Sequence, residues 1–281
     1  MNRTEQIARA ETFRALHRGS KLLVLPNVWD PLGAQLLESL GYPAVATASA
    51  AVAFSHGIDD GERIGFDTML DVIRRIVKSV EVPVSADIET GFAEEPGDVA
   101  GNMRRLLETG AVGINLEDSR VELPRRLYPL ELQRARIQAV REMANDFGVP
   151  LVINARIDVF VRPVPESRSE KIAEAVHRGN AYVEAGADCV FPVALGDFEI
   201  LKTLQREIDA PINASATAST PSIAELEQSG IARLSLGPGL LKAALTAMRE
   251  VASGLQDPRG SYTGFTRDAM TSAEIEELVS K

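Results

Sequence analysis

Histidine, tryptophan and cysteine are nearly absent from this chain of 281 residues, and aromatic side chains make up only 5% of it. A single thiol, Cys189, cannot form an internal disulfide, and the run Cys189-Val190-Phe191-Pro192-Val193 suits a buried, inert core residue. The three histidines, His17, His56 and His177, show no metal-ligand spacing, which argues against a zinc site built on histidine. No apolar run approaches the roughly 20 residues that span a bilayer. The start, Met1-Asn2-Arg3-Thr4-Glu5-Gln6, lacks the basic-then-apolar order of a signal peptide, so a cytoplasmic protein with no membrane partner is expected. Basic clusters with interleaved aromatics are also missing. With 30 Lys and Arg against 40 Asp and Glu, a net charge of -10 and a pI of about 5.0, nucleic acid is an unsuitable partner and small-molecule chemistry is favoured.

What is present is a repeated alternation. Short β-rich apolar runs at 22–28, 44–49, 82–88, 113–118, 151–157, 189–195, 210–215 and 233–237 are separated by amphipathic segments such as Phe66 to Lys78 and Ser169 to Ala185. Strands buried on both faces and separated by helices imply a parallel sheet. Eight such units in one unbroken chain predict an α/β fold of the (β/α)8 TIM-barrel type over 1–281, with an open doubly wound sheet as the weaker alternative. Residues 1–20 read as a helix covering the barrel bottom. The tail, 240–281, holds a helix over Leu240 to Val251, a Gly/Pro/Asp-rich stretch to Gly264 and a short acidic helix over Ser272 to Val279. It can dock on its own barrel or on a neighbouring subunit.

A barrel gathers the C-terminal ends of its strands into one rim, and polar residues cluster at those ends here. Ser85-Ala86-Asp87-Ile88-Glu89-Thr90-Gly91-Phe92 places two acids two residues apart, on one side of a strand, where like charges need a metal ion or a cationic substrate. Glu117 and Asp118 end the next strand, Asn154, Arg156 and Asp158 the fifth, Asn213 and Ser215 the seventh, and Asp59 and Asp60 follow the second. Carboxylates around one hard cation suit Mg²⁺, with Mn²⁺ as the alternative. Arg156 suits a substrate carboxylate or phosphonate through its planar fork, or else a structural network with Asp158 or Glu117. Asp118 and Asp158 read as caps or structural partners, His56 and Asp59 as turn residues, Trp29 as packing, and Asn27 and Asp30 as helix capping. Arg120, Arg125, Arg126 and Tyr128 read as a basic solvated loop rather than as substrate contacts.

Taken in order, His-Gly-Ile-Asp-Asp-Gly-Glu, Ala-Asp-Ile-Glu-Thr-Gly-Phe, Gly-Ile-Asn-Leu-Glu-Asp and Asn-Ala-Arg-Ile-Asp resemble the isocitrate lyase/phosphoenolpyruvate mutase superfamily, from about Leu22 to Leu236. The resemblance implies a barrel whose last helix is exchanged between subunits of a homo-oligomer, usually a dimer of dimers (homotetramer). It also implies that Asp87 contacts Mg²⁺ while Glu89, Asp60 and Glu117 hold its waters. Arg156 would bind the substrate carboxylate and steady an enolate, and backbone near Ala48 and Ser49 would cradle that carboxylate; apart from the resemblance, Asn213 at the end of the seventh strand is a further candidate substrate contact. Glu89 stands where many members have Asp, and Ala48-Ser49-Ala50 stands where Ser-Gly is usual. The segment from Ser119 to Tyr128 lacks the Lys-Lys/Arg-Cys-Gly-His signature of the lyases, whose cysteine is a general acid, and the Asn-bearing gate loop of the mutases is missing too. The expected activity is cleavage or formation of a C–C bond beside the carbonyl of a small anionic 2-oxo acid. The alternatives are C–P chemistry of the phosphonopyruvate type and a barrel that binds a 2-oxo dicarboxylate with little turnover.

Overall fold

Helices form where apolar residues recur every three or four positions, and strands where short apolar runs are flanked by turn residues. Helix Phe66–Ser79 is typical: Met69, Leu70, Ile73, Ile76 and Val77 are buried, and Asp67, Asp71, Arg74, Arg75 and Lys78 bring charge to its other positions. The computed structural model describes residues 1–119, 126–163, 167–256, 266 and 269–280. Its strands are β1 (Leu23–Leu25), β2 (Asn27–Val28), β3 (Val45–Thr47), β4 (Val84–Asp87), β5 (Gly113–Glu117), β6 (Val152–Ile157), β7 (Cys189–Pro192), β8 (Asn213–Ser215) and β9 (Arg233–Ser235). All pair in parallel, in the orders β2-β3-β4-β5-β6-β7 and β1-β9-β8.

These two ladders make one circuit. The first expected strand is interrupted at Pro26, which has no N–H to give to a ladder, so β1 pairs with β9 while β2 pairs with β3. On the far side, Val190 and Ile212 form a parallel bridge, and the Val190 N–H donates to the Pro211 carbonyl at 3.0 Å. The ring is the expected (β/α)8 barrel, with eight strand positions and the first split in two.

Helices α1 (Arg3–Leu16), α2 (Pro31–Ser39), α3 (Ser49–Ser55), α4 (Phe66–Ser79), α5 (Pro96–Leu107), α6 (Leu130–Phe147), α7 (Arg168–Glu184), α8 (Phe198–Glu207), α9 (Ile223–Gln228) and α10 (Gly239–Leu255) follow the chain, and a further helix spans Ser272–Val279. Asn2 with Glu5, Ser167 with Glu170, Ser222 with Glu225 and Thr271 with Glu274 form capping boxes that fix four helix starts. Asp30 caps α2, as the sequence suggests, by accepting the Gly33 N–H at 2.7 Å. Helix α3 departs from the expected strand over 44–49 and the loop after it. Its alanines are small and helix-favouring, and Ser49, Ala51, Val52 and Ala53 turn inward.

The N-terminal helix packs against the barrel at the end opposite the rim. Gln6 Nε2 donates to the Leu107 and Ala111 carbonyls, at 2.8 and 3.1 Å, and Phe13 is fully buried. Gly113 on β5 makes room for that ring, since a Cβ there would lie 2.5 Å from Phe13 Cε1 and 2.9 Å from Ser85 Oγ. At the other end of the chain, α10 exposes Leu245, Met248 and Leu255 and buries only Leu241, while the helix Ser272–Val279 packs beside α2 and buries Leu278. Part of the Gly/Pro/Asp-rich stretch between them, 257–265, lies outside the described residues. Among the described residues, no helix is long and apolar enough to cross a membrane.

The contact between Gly113 and Phe13 yields a direct test. Gly113→Ala is expected to lower unfolding stability by about 1–3 kcal/mol through overpacking, measured by urea denaturation. Combining it with Phe13→Leu, which withdraws the ring edge, should recover part of the loss.

Candidate active site

The strand ends open on a cavity of about 710 Å³ lined by Asp60, Asp87 and Arg156 together with Ala48, Ser49 and Ala50. A larger groove, about 1030 Å³, lies at the opposite end around α1, where surface pairs such as Arg9–Glu81 line it and no strand end points into it. The rim is the end where barrels of this kind gather polar side chains.

Asp87 is the last residue of β4. Its Oδ2 accepts the Ser49 N–H at 3.0 Å and the Ser49 hydroxyl at 2.8 Å, and its own N–H donates to Thr47 Oγ1 at 2.9 Å. Oδ1 is buried with no hydrogen-bond partner. Ala48 and Ser49 line the cavity, and the Ser49 amide is turned to Asp87 rather than held open as an anion cradle.

Arg156 and Glu117 are register partners on β6 and β5. Arg156 Nη1 lies 2.6 Å from Glu117 Oε2, while Nε and Nη2 donate to Asp158 Oδ1 and Oδ2 at 2.7 and 3.1 Å. Arg156 thus belongs to the ion-pair network with Glu117 and Asp158, and it also lines the cavity. Burial and the charges of Asp158, Asp87 and Glu89 push the Glu117 carboxyl well above its ordinary range, against the pull of Arg156. Asp158 and Asp118 are fully buried structural partners: Asp118 accepts the Asp158 N–H at 2.9 Å and the Tyr182 hydroxyl at 2.8 Å.

Glu89 requires a correction. It is not on a strand, since β4 ends at Asp87 and Glu89 adopts φ +51°, so the two-residue alternation that paired it with Asp87 does not apply. Its buried carboxylate nevertheless reaches the same acidic group. Oε2 accepts the Glu62 N–H at 2.8 Å and Oε1 is buried without a partner. Burial, followed by the charges of Asp60, Asp87 and Glu62, pushes it up to about 8, opposed by the Glu62 N–H.

Glu62 escaped the sequence reading. Its Oε1 accepts the Thr90 N–H at 3.1 Å, the Thr90 hydroxyl at 2.6 Å and the Phe92 N–H at 2.8 Å. Carboxylate and amide thus run in both directions between the loop bearing Asp59 and Asp60 and the turn bearing Glu89. Glu62, Glu89 and Phe92 all sit at positive φ, between 51° and 62°. The signal available in sequence was only an acid next to Asp60-Gly61, with nothing to reveal its partners. Asp59 pairs with Arg63 at 2.9 Å in solvent, as a turn acid should.

Asn213 is also corrected. It stands at the start of β8, fully buried, and donates to Ser235 Oγ at 3.0 Å. Ser215, two residues further on, lines the cavity instead. Asn27 is no helix cap: its Oδ1 accepts the Leu236 and Gly237 N–H groups at 2.8 and 2.9 Å, and its amide donates to the Thr47 carbonyl at 2.8 Å. Tyr128 is buried beneath Arg136, whose guanidinium lies 4.1 Å from the ring centre, so it is not part of a solvated loop. Arg120 and Arg125 lie outside the described residues and Arg126 is exposed. Arg162 and Lys242, not singled out in the sequence, also line the cavity.

Among the described residues, no three acids are arranged to coordinate one ion directly. The donor set still suits a hard cation. Asp87 Oδ1 and Glu89 Oε1 are buried with unused lone pairs, and Glu89 and Glu117 are both pushed upward, first by burial and then by neighbouring acids. Asp87, Glu89, Glu117 and Asp60 are the side chains here that could hold such an ion.

A family model described as phosphoenolpyruvate phosphomutase matches residues 13–256. An uncharacterized protein of Mycobacterium tuberculosis is 32% identical over 253 residues, covering 88% of this chain and 92% of its own length. The 2-methylisocitrate lyase of Bacillus subtilis is 27% identical over 286 residues, covering 96% and 89%. A solved structure from Burkholderia cenocepacia J2315, assigned as a lyase or mutase, is 33% identical, with a TM-score of 0.91 over 99% of this chain and 98% of that one.

The reciprocal contact through Glu62 can be tested without substrate. Glu62→Ala is expected to reduce unfolding stability by about 2–4 kcal/mol, since it strands two amides and a hydroxyl that face a charged acceptor. Hydrogen exchange at the Thr90 and Phe92 amides should accelerate selectively; protection equal to wild type at those amides would contradict the role given to Glu62.

Proposed function

Since the chain belongs to the phosphoenolpyruvate phosphomutase family, in the isocitrate lyase/phosphoenolpyruvate mutase superfamily, we propose that it is a Mg²⁺-dependent lyase or decarboxylase of small 2-oxo or 2-hydroxy di- or tricarboxylates. The observation that carries this reading is Arg156, fixed between Glu117 and Asp158 on the wall of a cavity that also exposes Asp87. Nε and Nη2 donate to Asp158 and Nη1 lies 2.6 Å from Glu117, which fixes the guanidinium on the wall and leaves donor capacity for a substrate anion.

A divalent cation bound through Asp87 would supply Lewis-acid polarisation of the substrate's oxygens. The chain's own part is positional and electrostatic. Arg156 holds the substrate carboxylate and faces the negative charge that develops on the neighbouring carbonyl oxygen as the carbon–carbon bond breaks. A cation held rigidly by Asp158 stabilises that charge more than the ground state, without reorganising. Ser49 and Thr47 orient Asp87, and the Glu62 contact keeps Glu89 and the Asp60 loop beside it. Ala48 and Ala50 leave room for the substrate to approach the strand ends. Carbon–phosphorus chemistry is the second reading, supported by the likeness to phosphoenolpyruvate phosphomutase.

We also propose that the protein is a homo-oligomer in which α10 packs on a second copy. The support is its apolar row of Leu245, Met248 and Leu255, at 50%, 66% and 45% exposure, which is too extended for a solvated helix face.

Three experiments check these readings. By calorimetry, Asp87→Ala should abolish Mg²⁺-dependent binding of oxalate. Arg156→Lys should weaken it by about tenfold or more at retained fold, because an ammonium cannot reproduce the fork; unchanged affinity in either variant would remove that residue from the site. Release of pyruvate from malate-like acids, set against turnover of phosphonopyruvate, separates the two chemistries. For the assembly, the double substitution Leu245→Glu with Met248→Glu should shift the mass seen by light scattering to that of one chain. A wild-type protein that is already monomeric would contradict it.

A further inference from the structure

Asn115 lines the cavity, and nothing in the reaction proposed above uses it. It lies on β5 two residues before Glu117, with Asp87 on β4 and Asn154 on β6 as its register partners. Its side-chain oxygen accepts two hydrogen bonds, from Asn154 Nδ2 at 2.7 Å and from Arg233 Nη2 at 3.3 Å.

An amide has one end that accepts and one that donates, so its surroundings decide which way it faces. Here the direction is forced. A guanidinium has no lone pair to offer, so the atom of Asn115 that meets Arg233 is the oxygen. That oxygen in turn calls for a donor from Asn154, whose own Oδ1 is left buried without a partner. Arg233 is fully buried and held in its place, since Nε donates to Ser235 Oγ at 3.1 Å and Ser235 also receives the Asn213 amide at 3.0 Å. Asn115 Nδ2 is therefore turned away from all of these groups, and it makes no hydrogen bond among the described residues. Only 5% of the residue is exposed, and that surface belongs to the cavity wall.

Its neighbours indicate what this N–H would meet. Asp87 Oδ1, on the register partner, is unpartnered too, so an amide donor and a carboxylate acceptor stand on adjacent strands at the same level. Arg156 pairs in register with Glu117, two residues nearer the strand ends. An acid lying across these ends can place one oxygen against Arg156 and another over Asn115. A donor whose direction is fixed before the ligand arrives stabilises a charged oxygen more than a neutral one, with no reorganisation.

We propose that Asn115 Nδ2 donates to the substrate oxygen on which negative charge develops, as an uncharged donor beside Arg156, and that Arg233 and Asn154 are positioning residues that fix its direction. The proposal rests on the reading of the cavity as a 2-oxo acid site and adds to it a second stabilising group. An Asn115 that merely fills the layer between Asp87 and Asn154 would treat all ligands alike.

The test compares oxalate, which carries negative charge beside its first carboxylate, with pyruvate, which has a neutral carbonyl oxygen in that place. Both are titrated in Mg²⁺ by calorimetry. Asn115→Leu keeps the volume and removes the amide. Oxalate affinity should fall at least about tenfold and pyruvate affinity by no more than about threefold, because a hydrogen bond to a charged acceptor is worth about twice one to a neutral acceptor. Equal losses for the two ligands, or an undiminished affinity for oxalate, would overturn the proposal. If Asn115→Leu does not fold, Asn115→Ala takes its place with the same expected split, since water can enter the vacated polar space and satisfy Arg233 and Asn154. Asn154→Leu removes one of the two locks without touching the cavity, and it should give the same split at smaller size, about threefold for oxalate; an equal loss for both ligands would overturn its positioning role. Wild-type protein that binds no oxalate would instead defeat the underlying reading, whereas oxalate binding that is indifferent to Asn115 defeats only the role given to that residue.

Discussion

The rim is organised around Arg156, which stands between Glu117 on the adjacent strand and Asp158 two residues ahead of it. A parallel barrel forces the ends of neighbouring strands together, and here those ends bear acids. Without a cation between them, Glu117, Asp158 and Asp87 would repel across a site from which water is largely excluded. Arg156 makes the arrangement tolerable on one flank, and the flank nearest Asp87 and Glu89 is left with buried, unbonded carboxylate oxygens. The site is therefore polarised: fixed positive charge on β6 and unmet negative charge on β4 and the turn after it. A small acid chelating a hard cation matches both poles at once.

Much of this was legible in the sequence, and the reasons for the rest are physical. Strand positions could be read because buried parallel strands are apolar throughout, as in β5, where all of Gly113–Glu117 is buried. Asp60, Asp87, Glu117 and Arg156 followed because a barrel makes strand ends neighbours. Glu89 was identified for the wrong reason, since periodicity does not disclose that a strand stops two residues earlier. Glu62 and Arg162 act through partners some 28 and 43 residues away in sequence, and no local pattern marks such pairs. Helix α3 was hidden because a run of alanines and valine is equally apolar as strand or helix. Asn213 was assigned to the cavity because depth within a barrel is set by strand length, and β8 has only three residues.

Beneath the cavity lies a polar layer rather than an oily one. Asn154 donates to Asn115 Oδ1 at 2.7 Å, and the fully buried Arg233 donates to Asn115 Oδ1 and Ser235 Oγ at 3.3 and 3.1 Å. Burial pushes Arg233 down to about 10, with Asp87 and Cys189 opposing. Burial likewise pushes the Cys189 thiol up to about 12, in keeping with the inert core residue inferred from its sequence neighbours. Below this layer, Phe13 on α1 is fully buried against the barrel.

The turn after β4 puts stability and chemistry in opposition. At Glu89 and Phe92 the chain holds left-handed conformations that cost a non-glycine residue of the order of 1 kcal/mol each. Glycine at 89 would relieve that strain and spare the protein a buried acid, yet it would delete the carboxylate that faces Asp60 and Asp87. Substitutions selected only for thermal robustness should accumulate at this turn, and they should do so at the expense of the acidic group around Asp60 and Asp87. A catalogue of stabilising variants would thus mark the functional end of the barrel without any substrate being known.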